Sequence, residues 1–332
     1  MMKLSADINR IIIFRALQLG DMVCIIPAVR ALRNAYPDAK ITLAGLPWAK
    51  SFTSRFDRYF DAFVWFPGFP GLPEQPLDAA AFVKFLDCVQ LQQFDLALQM
   101  QGNGYLVNPM VELFNARHTA GFSKTGDYRP NDDLFLTYPD FGHEIKRHLG
   151  LMDFLGIKAD GTDLEFPLTK QDYLDFNQLN LPVSGGRYIC IHPGSRGSWR
   201  QWPTQHFAAI ADHCIELGFN VVLTGTAGER QIVSEVMDNM RYEAIDTSGK
   251  TSVGAIGVLI KDAAVLISNC TGVSHIASAL KTPSIVISMD GEPERWGPLN
   301  TKLHYTINWL EQPGYAYVSA QLDELLLQVS AD

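Results

Sequence analysis

The chain has 332 residues, 47% of them hydrophobic and 19% charged, which is enough apolar material for about two cores at ~100–200 residues each and too ordered a composition for a disordered or fibrous chain. Its net charge of -9 excludes a broad nucleic-acid-binding surface, so no nucleic-acid partner is expected, although a local basic pocket remains open. No apolar run approaches the ~20 residues of a membrane span, Asp7, Asn9 and Arg10 interrupt any signal-peptide core, and Cys24, Cys88, Cys190, Cys214 and Cys270 are odd in number and widely spaced; a cytoplasmic protein with reduced thiols is expected.

In chain order, short apolar strands are predicted at residues 11–14, 41–43, 62–65 and 96–100, with helices at 23–35, 79–90, 107–116 and 143–155. Gly156 ends the last of these helices in the usual position for a left-handed cap, and 67–76 is a Pro/Gly-rich loop. The second half repeats the alternation, with strands at 188–191, 221–224, 264–267 and 284–288, a short one around 244–246, and helices at 206–217, 229–240, 253–260 and 273–280. A last helix is expected at 318–329. Strands alternating with helices predict an α/β fold with parallel sheets covered on both faces. The seam between two Rossmann-like lobes is expected within 166–186, where Pro167, Pro182 and Gly185-Gly186 break the periodicity.

Two nucleotide signatures are missing. Gly102-Asn103-Gly104 lacks the third glycine of a dinucleotide fingerprint, Gly225-Thr226-Ala227-Gly228 is a two-glycine turn, and Gly249-Lys250-Thr251 has Ala244 where a Walker loop needs glycine. A dinucleotide oxidoreductase is thereby disfavoured. No His/Cys/Asp cluster has ligand spacing, so neither a metal nor a cofactor is expected.

The chemistry concentrates at strand ends. The run 264–267 stops at Ser268-Asn269-Cys270-Thr271-Gly272 before a helical stretch and a second apolar run. In an open parallel sheet this turn lies where ligands bind, and Gly272 lets backbone N–H groups approach an anion, so a phosphate-bearing ligand is the expected guest. After the first strand, Leu19-Gly20-Asp21 sets a carboxylate on a glycine turn at a helix start. Position alone fits a helix cap as well as a general base.

These stretches resemble glycosyltransferase family 9, the ADP-heptose:lipopolysaccharide heptosyltransferases and their relatives, whose sequences show an Asn-Asp-Thr-Gly-x-x-His run followed by Arg-Trp-Gly-Pro. Asn269, Thr271, Gly272, His275 and Arg295-Trp296-Gly297-Pro298 match; Cys270 replaces the usual Asp. The resemblance implies the GT-B architecture, two Rossmann-like lobes facing a cleft: an acceptor lobe at 1–170, a donor lobe at 171–310, and a helix within 311–332 that packs back on the first lobe. It implies Asp21 as the base that deprotonates the acceptor hydroxyl. On the donor side it implies Arg200, two residues before Trp202-Pro203, on the diphosphate; Ser195 in the preceding turn; Glu229 on the ribose, where a helix-start acid is an equal alternative; Thr251 near the base edge; and Thr271, Gly272 and His275 at the phosphates.

Asn103, Lys124, Arg129 and His143 are candidate acceptor contacts, for each of which a surface or capping role weighs more. The implied activity is inverting, metal-independent transfer of a sugar, heptose from ADP-heptose, to a lipopolysaccharide-like glycan or glycolipid acceptor, with a peripheral contact at the cytoplasmic face of the inner membrane. Cys270 keeps two alternatives in play: a polysaccharide-cluster transferase with another donor, and a nucleotide-sugar-binding protein without catalysis, against which Asp21 and Arg200 argue.

Overall fold

The computed structural model describes residues 4, 5 and 7–331, and the chain divides into two compact units, Met1–Asp163 and Leu164–Asp332. In the first, β1 (Arg10–Phe14), β2 (Lys40–Gly45), β3 (Ala62–Trp65), β4 (Leu96–Gln99), β5 (His118–Ser123) and β6 (Phe135–Thr137) form a parallel sheet in the order β3-β2-β1-β4-β5-β6. In the second, β7 (Tyr188–His192), β8 (Asn220–Leu223), β9 (Ile245–Asp246), β10 (Val265–Asn269), β11 (Ser284–Ser288) and β12 (His304–Asn308) take the order β12-β11-β10-β7-β8-β9. Both are the doubly wound order, begun in the middle and reversed once. The reversal lies between β1 and β4 in one unit and between β7 and β10 in the other, and at these switch points the loops after the strands diverge to leave a crevice.

Ile11, Ile12, Ile13 and Phe14 are all fully buried, as are Val265, Leu266 and Ile267. Helices cover both faces of each sheet, so central strands read as continuous apolar runs. Three strands lack that signature. At the centre of β5, a Cβ on Gly121 would stand 2.7 Å from the Gln99 carbonyl, while Gln99 Oε1 accepts from Phe122 N at 3.1 Å; the close crossing of Gln99 demands glycine and breaks the apolar pattern. The edge strands β6 and β12 are short or mixed in polarity.

The linking segment belongs wholly to the second unit. Thr169 caps the helix Lys170–Gln178 reciprocally with Asp172, and a Cβ at Gly257 would meet Phe166 at 2.7 Å and Leu168 at 2.9 Å. This packing onto the helix Val253–Lys261 sets the boundary at 163/164 instead of 170/171.

The closing helix Tyr315–Ala331 places Val318, Leu322, Leu325 and Leu326 in the core that holds Trp202, Phe207, Ile285 and Ile287. Its apolar stripe, at positions one turn apart, packs on the second unit's own sheet. Among the described residues no helix is long and apolar enough to cross a membrane.

Candidate active site

Asp21 lies in the helix Leu19–Cys24, which leaves the end of β1 beside the first switch point. Its Oδ2 accepts from Gln18 N at 3.3 Å, so the capping role is present. The side chain is also 25% exposed and its Oδ1 lies 4.0 Å from Arg15 Nη2.

Arg15 is the centre of a buried charge cluster. Its Nε donates to the Asp21 carbonyl at 3.1 Å, its Nη1 donates to the Met100 carbonyl and lies 3.0 Å from His148 Nε2, and its Nη2 donates to Glu144 Oε1 at 3.2 Å. Glu144 also accepts from Arg147 and lies 3.1 Å from His148 Nε2. All four side chains are buried. Burial alone would raise the Glu144 carboxyl, but the His148 hydrogen bond and the charges of His148, Arg15 and Arg147 hold it well below the usual range. Burial, reinforced by the Arg15 charge, lowers His148 to about 4, so it is neutral at pH 7. Sequence reasoning missed this cluster. Its signal is the spacing Glu144, Arg147, His148 on one helix, which stacks three polar groups on a single flank.

The candidate acceptor contacts are scattered. His143 is the N-cap of the helix Glu144–Phe154, its Nδ1 accepting from Ile145 N at 3.1 Å. Asn103 Oδ1 accepts from Tyr105 N at 3.0 Å in a turn. Lys124 pairs with Asp140 at 3.3 Å, and Arg129 with Asp132 at 3.6 Å, on exposed acids.

In the second unit the site is tied together by Asn269, the last residue of β10 and fully buried. Its Oδ1 accepts from Trp202 N at 2.8 Å, and its Nδ2 donates to the carbonyls of Pro193 at 2.7 Å and Gly194 at 3.2 Å. One carboxamide thus joins the turn that carries Ser195 to the turn that carries Arg200. Thr271 follows as the extended N-cap (φ -150°, ψ -176°) of the helix Gly272–Leu280, and no side chain caps that helix. His275 is buried, edge-on to Trp296 at 6.3 Å, while the Arg295 guanidinium lies 4.6 Å from the centre of the Trp296 ring. His275 and the Arg-Trp-Gly-Pro turn are therefore one packed unit.

Arg200 donates to Asp290, the second residue after β11. Burial works against the Asp290 charge, but Ser288 and Arg200 bring its carboxyl below the ordinary range. Cys270, in the place of the family's Asp, is buried, and that burial pushes its thiol up to about 12, with the Asp290 charge acting in the same direction.

Ser195 and Glu229 line a cavity of about 610 Å³ together with Arg196, Gln201, Trp202, Thr226 and others. Glu229 Oε2 accepts from Thr226 N at 2.7 Å and lies 3.9 Å from His192 Nε2. Its carboxylate rests against Gly194, where any Cβ would collide with it. Thr251, just before the N-cap Ser252, does not line this cavity. The structure thus brings Ser195 and Glu229 to one cavity and Arg200 to Asp290, just after β11. It keeps Thr251 in the loop after β9 and His275 inside its helix. Arg196, Thr226 and Asp290 are the neighbours that sequence reasoning missed. Among the described residues no group of three or more His, Cys, Asp or Glu side chains could hold a metal ion.

The sequence model of glycosyltransferase family 9 (heptosyltransferase) matches residues 83–322. Over 303 residues the chain is 23% identical to lipooligosaccharide heptosyltransferase 2 of Haemophilus ducreyi, covering 85% of this chain and 83% of that one. Among solved structures it is similar to a glycosyl transferase family 9 protein from Veillonella parvula, with TM-score 0.82, 18% identity and coverage of 98% and 99%. It is also similar to the Escherichia coli ADP-heptose lps heptosyltransferase II, with TM-score 0.77, 21% identity and coverage of 96% and 99%. The fold class is GT-B. With two doubly wound sheets, the Asn-x-Thr-Gly-x-x-His turn on a switch point and a family match over most of its length, the chain belongs to glycosyltransferase family 9 and is a glycosyltransferase.

Proposed function

We propose that this enzyme moves heptose from ADP-heptose to a sugar hydroxyl of a lipopolysaccharide-type glycan or glycolipid, by single displacement with inversion. The observation that carries the reading is the Asn269 clamp, which holds the Ser195 and Arg200 turns against the strand that ends at Thr271 and Gly272. A leaving nucleoside diphosphate gains negative charge. Arg200 and the uncapped helix start at Gly272 offer a cation and backbone N–H groups to meet it, and these supply what a metal would otherwise provide.

On the first unit, Asp21 takes the proton from the acceptor hydroxyl as its oxygen attacks the anomeric carbon. The bond to the diphosphate oxygen breaks, and the configuration at that carbon inverts. Ser195 contacts the diphosphate, Glu229 the ribose, Thr251 the base and His275 the phosphate turn. ADP-heptose and lipopolysaccharide are the substrates named for the E. coli relative; an acceptor at the cytoplasmic face of the inner membrane would make the enzyme peripheral there.

The test incubates the enzyme with ADP-heptose and a heptose-deficient lipopolysaccharide core, with and without EDTA, and follows ADP release and product mass. Equal transfer with and without chelator supports the reading. No heptosyl product, or loss of transfer in EDTA, overturns it. Cys270 favours one second reading, a different donor sugar, which faster turnover of another nucleotide sugar would establish.

A further inference from the structure

The buried carboxylate of Asp290 has no part in the transfer as described. Its side chain is 5% exposed against 29% for its partner Arg200. Oδ1 accepts from Ser288 Oγ at 2.7 Å and from Glu292 N at 3.3 Å, while Oδ2 accepts from Arg200 Nη2. The carboxylate is therefore fixed by its own turn before Arg200 meets it. On Arg200, the guanidinium carbon lies 5.4 Å from the centre of the Trp199 ring. A long side chain with about 2 kcal/mol of rotamer entropy is thereby restrained ahead of any ligand.

Strand register supplies the other half of the argument. Asn269 pairs with Ile287 across β10 and β11, and Cys270 N donates to the Ile287 carbonyl at 2.8 Å. Residue 270 is therefore level with Ser288, close to the turn that presents Asp290. It is uncharged and buried there.

We infer that Asp290 is a positioning residue which aims Arg200 at the donor diphosphate, and that this arrangement requires a neutral side chain at position 270. A carboxylate at 270 would compete with Asp290 for the same guanidinium and repel the Asp290 charge. The inference rests on the reading of Arg200 as the diphosphate ligand. Asp290 acts through Arg200 and does not itself touch the donor.

The experiment is a double-mutant cycle read by calorimetric titration with ADP on the full chain. Arg200→Ala should weaken ADP about tenfold or more, the loss of a charge-assisted hydrogen bond. Asp290→Ala should weaken it about fivefold in the wild type and leave it unchanged in the Arg200→Ala background. Equal losses in both backgrounds would make Asp290 a brace of its turn, and tighter ADP binding by Asp290→Ala would make it a mask on Arg200; either result overturns the inference. Unchanged ADP affinity in Arg200→Ala alone overturns the diphosphate reading and this inference with it.

Should Asp290→Ala not fold, Asp290→Asn keeps acceptors for Ser288 and Glu292, and the same cycle runs with it. For position 270, Cys270→Asp should weaken ADP about fivefold or more, and adding Asp290→Asn should restore most of the loss. A double variant no better than Cys270→Asp removes the claim about residue 270.

Discussion

Behind Asp21 the first unit buries two arginines, a glutamate and a histidine, whereas the turns around Arg200 in the second unit are joined by the uncharged carboxamide of Asn269. Both arrangements hold loops at a switch point of the same sheet order. They differ in how they fail. A buried ion cluster has already given up solvation, so removing one member strands the opposite charges. A neutral clamp that loses its amide strands only the hydrogen-bonding groups it served. The first unit should therefore be the more fragile to substitution and the second the more tolerant.

The largest expected effect is on chemistry and separates the two sites by function. Asp21→Asn should lower transfer by ~10²–10⁴-fold and leave ADP affinity, read by calorimetry, as it was. Near-normal transfer would reduce Asp21 to its capping bond with Gln18. Next comes Glu144→Gln, which leaves Arg15 and Arg147 without their carboxylate and should cost about 3–5 kcal/mol in urea denaturation.

Asn269→Ala should cost about 1–3 kcal/mol by the same measurement and should also weaken ADP, since both turns proposed to meet the donor loosen. Asn269→Asp, nearly the same shape, should be no better, because an acceptor-only group would face the carbonyls of Pro193 and Gly194. If Asn269→Ala proves the costlier of the two truncations, the contrast between charged and neutral scaffolds is lost.

Acid sharpens the comparison with the smallest effect. Burial lowers His148 in the first unit and His304 in the second to about 4, from an ordinary 6.5. The unfolded chain then takes up protons that the folded chain refuses, so this stability is complete above 6.5 and drains as pH falls through about 4. Each histidine should contribute a loss of about 1 kcal/mol by pH ~5.5. His304→Asn should flatten the slope without abolishing it, leaving the share of His148. An unchanged slope in that variant would mean that His304 titrates as it would in water.

The parts legible in the amino-acid pattern are those where one physical demand acts alone. β1, β7, β10 and β11 read as apolar runs because both faces are covered, and Leu19-Gly20-Asp21 and Asn269 to His275 announce themselves as turns that end strands. β5 is obscured because the approach of Gln99 asks for glycine where the sheet asks for bulk. The helix Lys170–Gln178 hides in a segment whose prolines and glycines read as a linker.

Long-range polar pairs are invisible for another reason. Arg15 meets Glu144 across 129 positions and Arg200 meets Asp290 across 90, and no local spacing encodes either meeting. The four proposed acceptor contacts illustrate the converse: each has a near neighbour in sequence or on the surface that accounts for its position.

The contact between Gly194 and the Glu229 carboxylate couples what the two positions can hold over evolutionary time. While Glu229 keeps its bond to Thr226, a Cβ at position 194 would meet its carboxylate, so a side chain there obliges the end of the glutamate to shift. Once a lineage loses Glu229, position 194 is released and can drift to alanine or serine at little cost. A later return of glutamate at 229 would then find its place taken and would have to settle in another rotamer, away from the Thr226 amide. Two neighbouring residues of ordinary type are thus coupled, and the order in which they mutate decides which rotamer a glutamate at 229 can take.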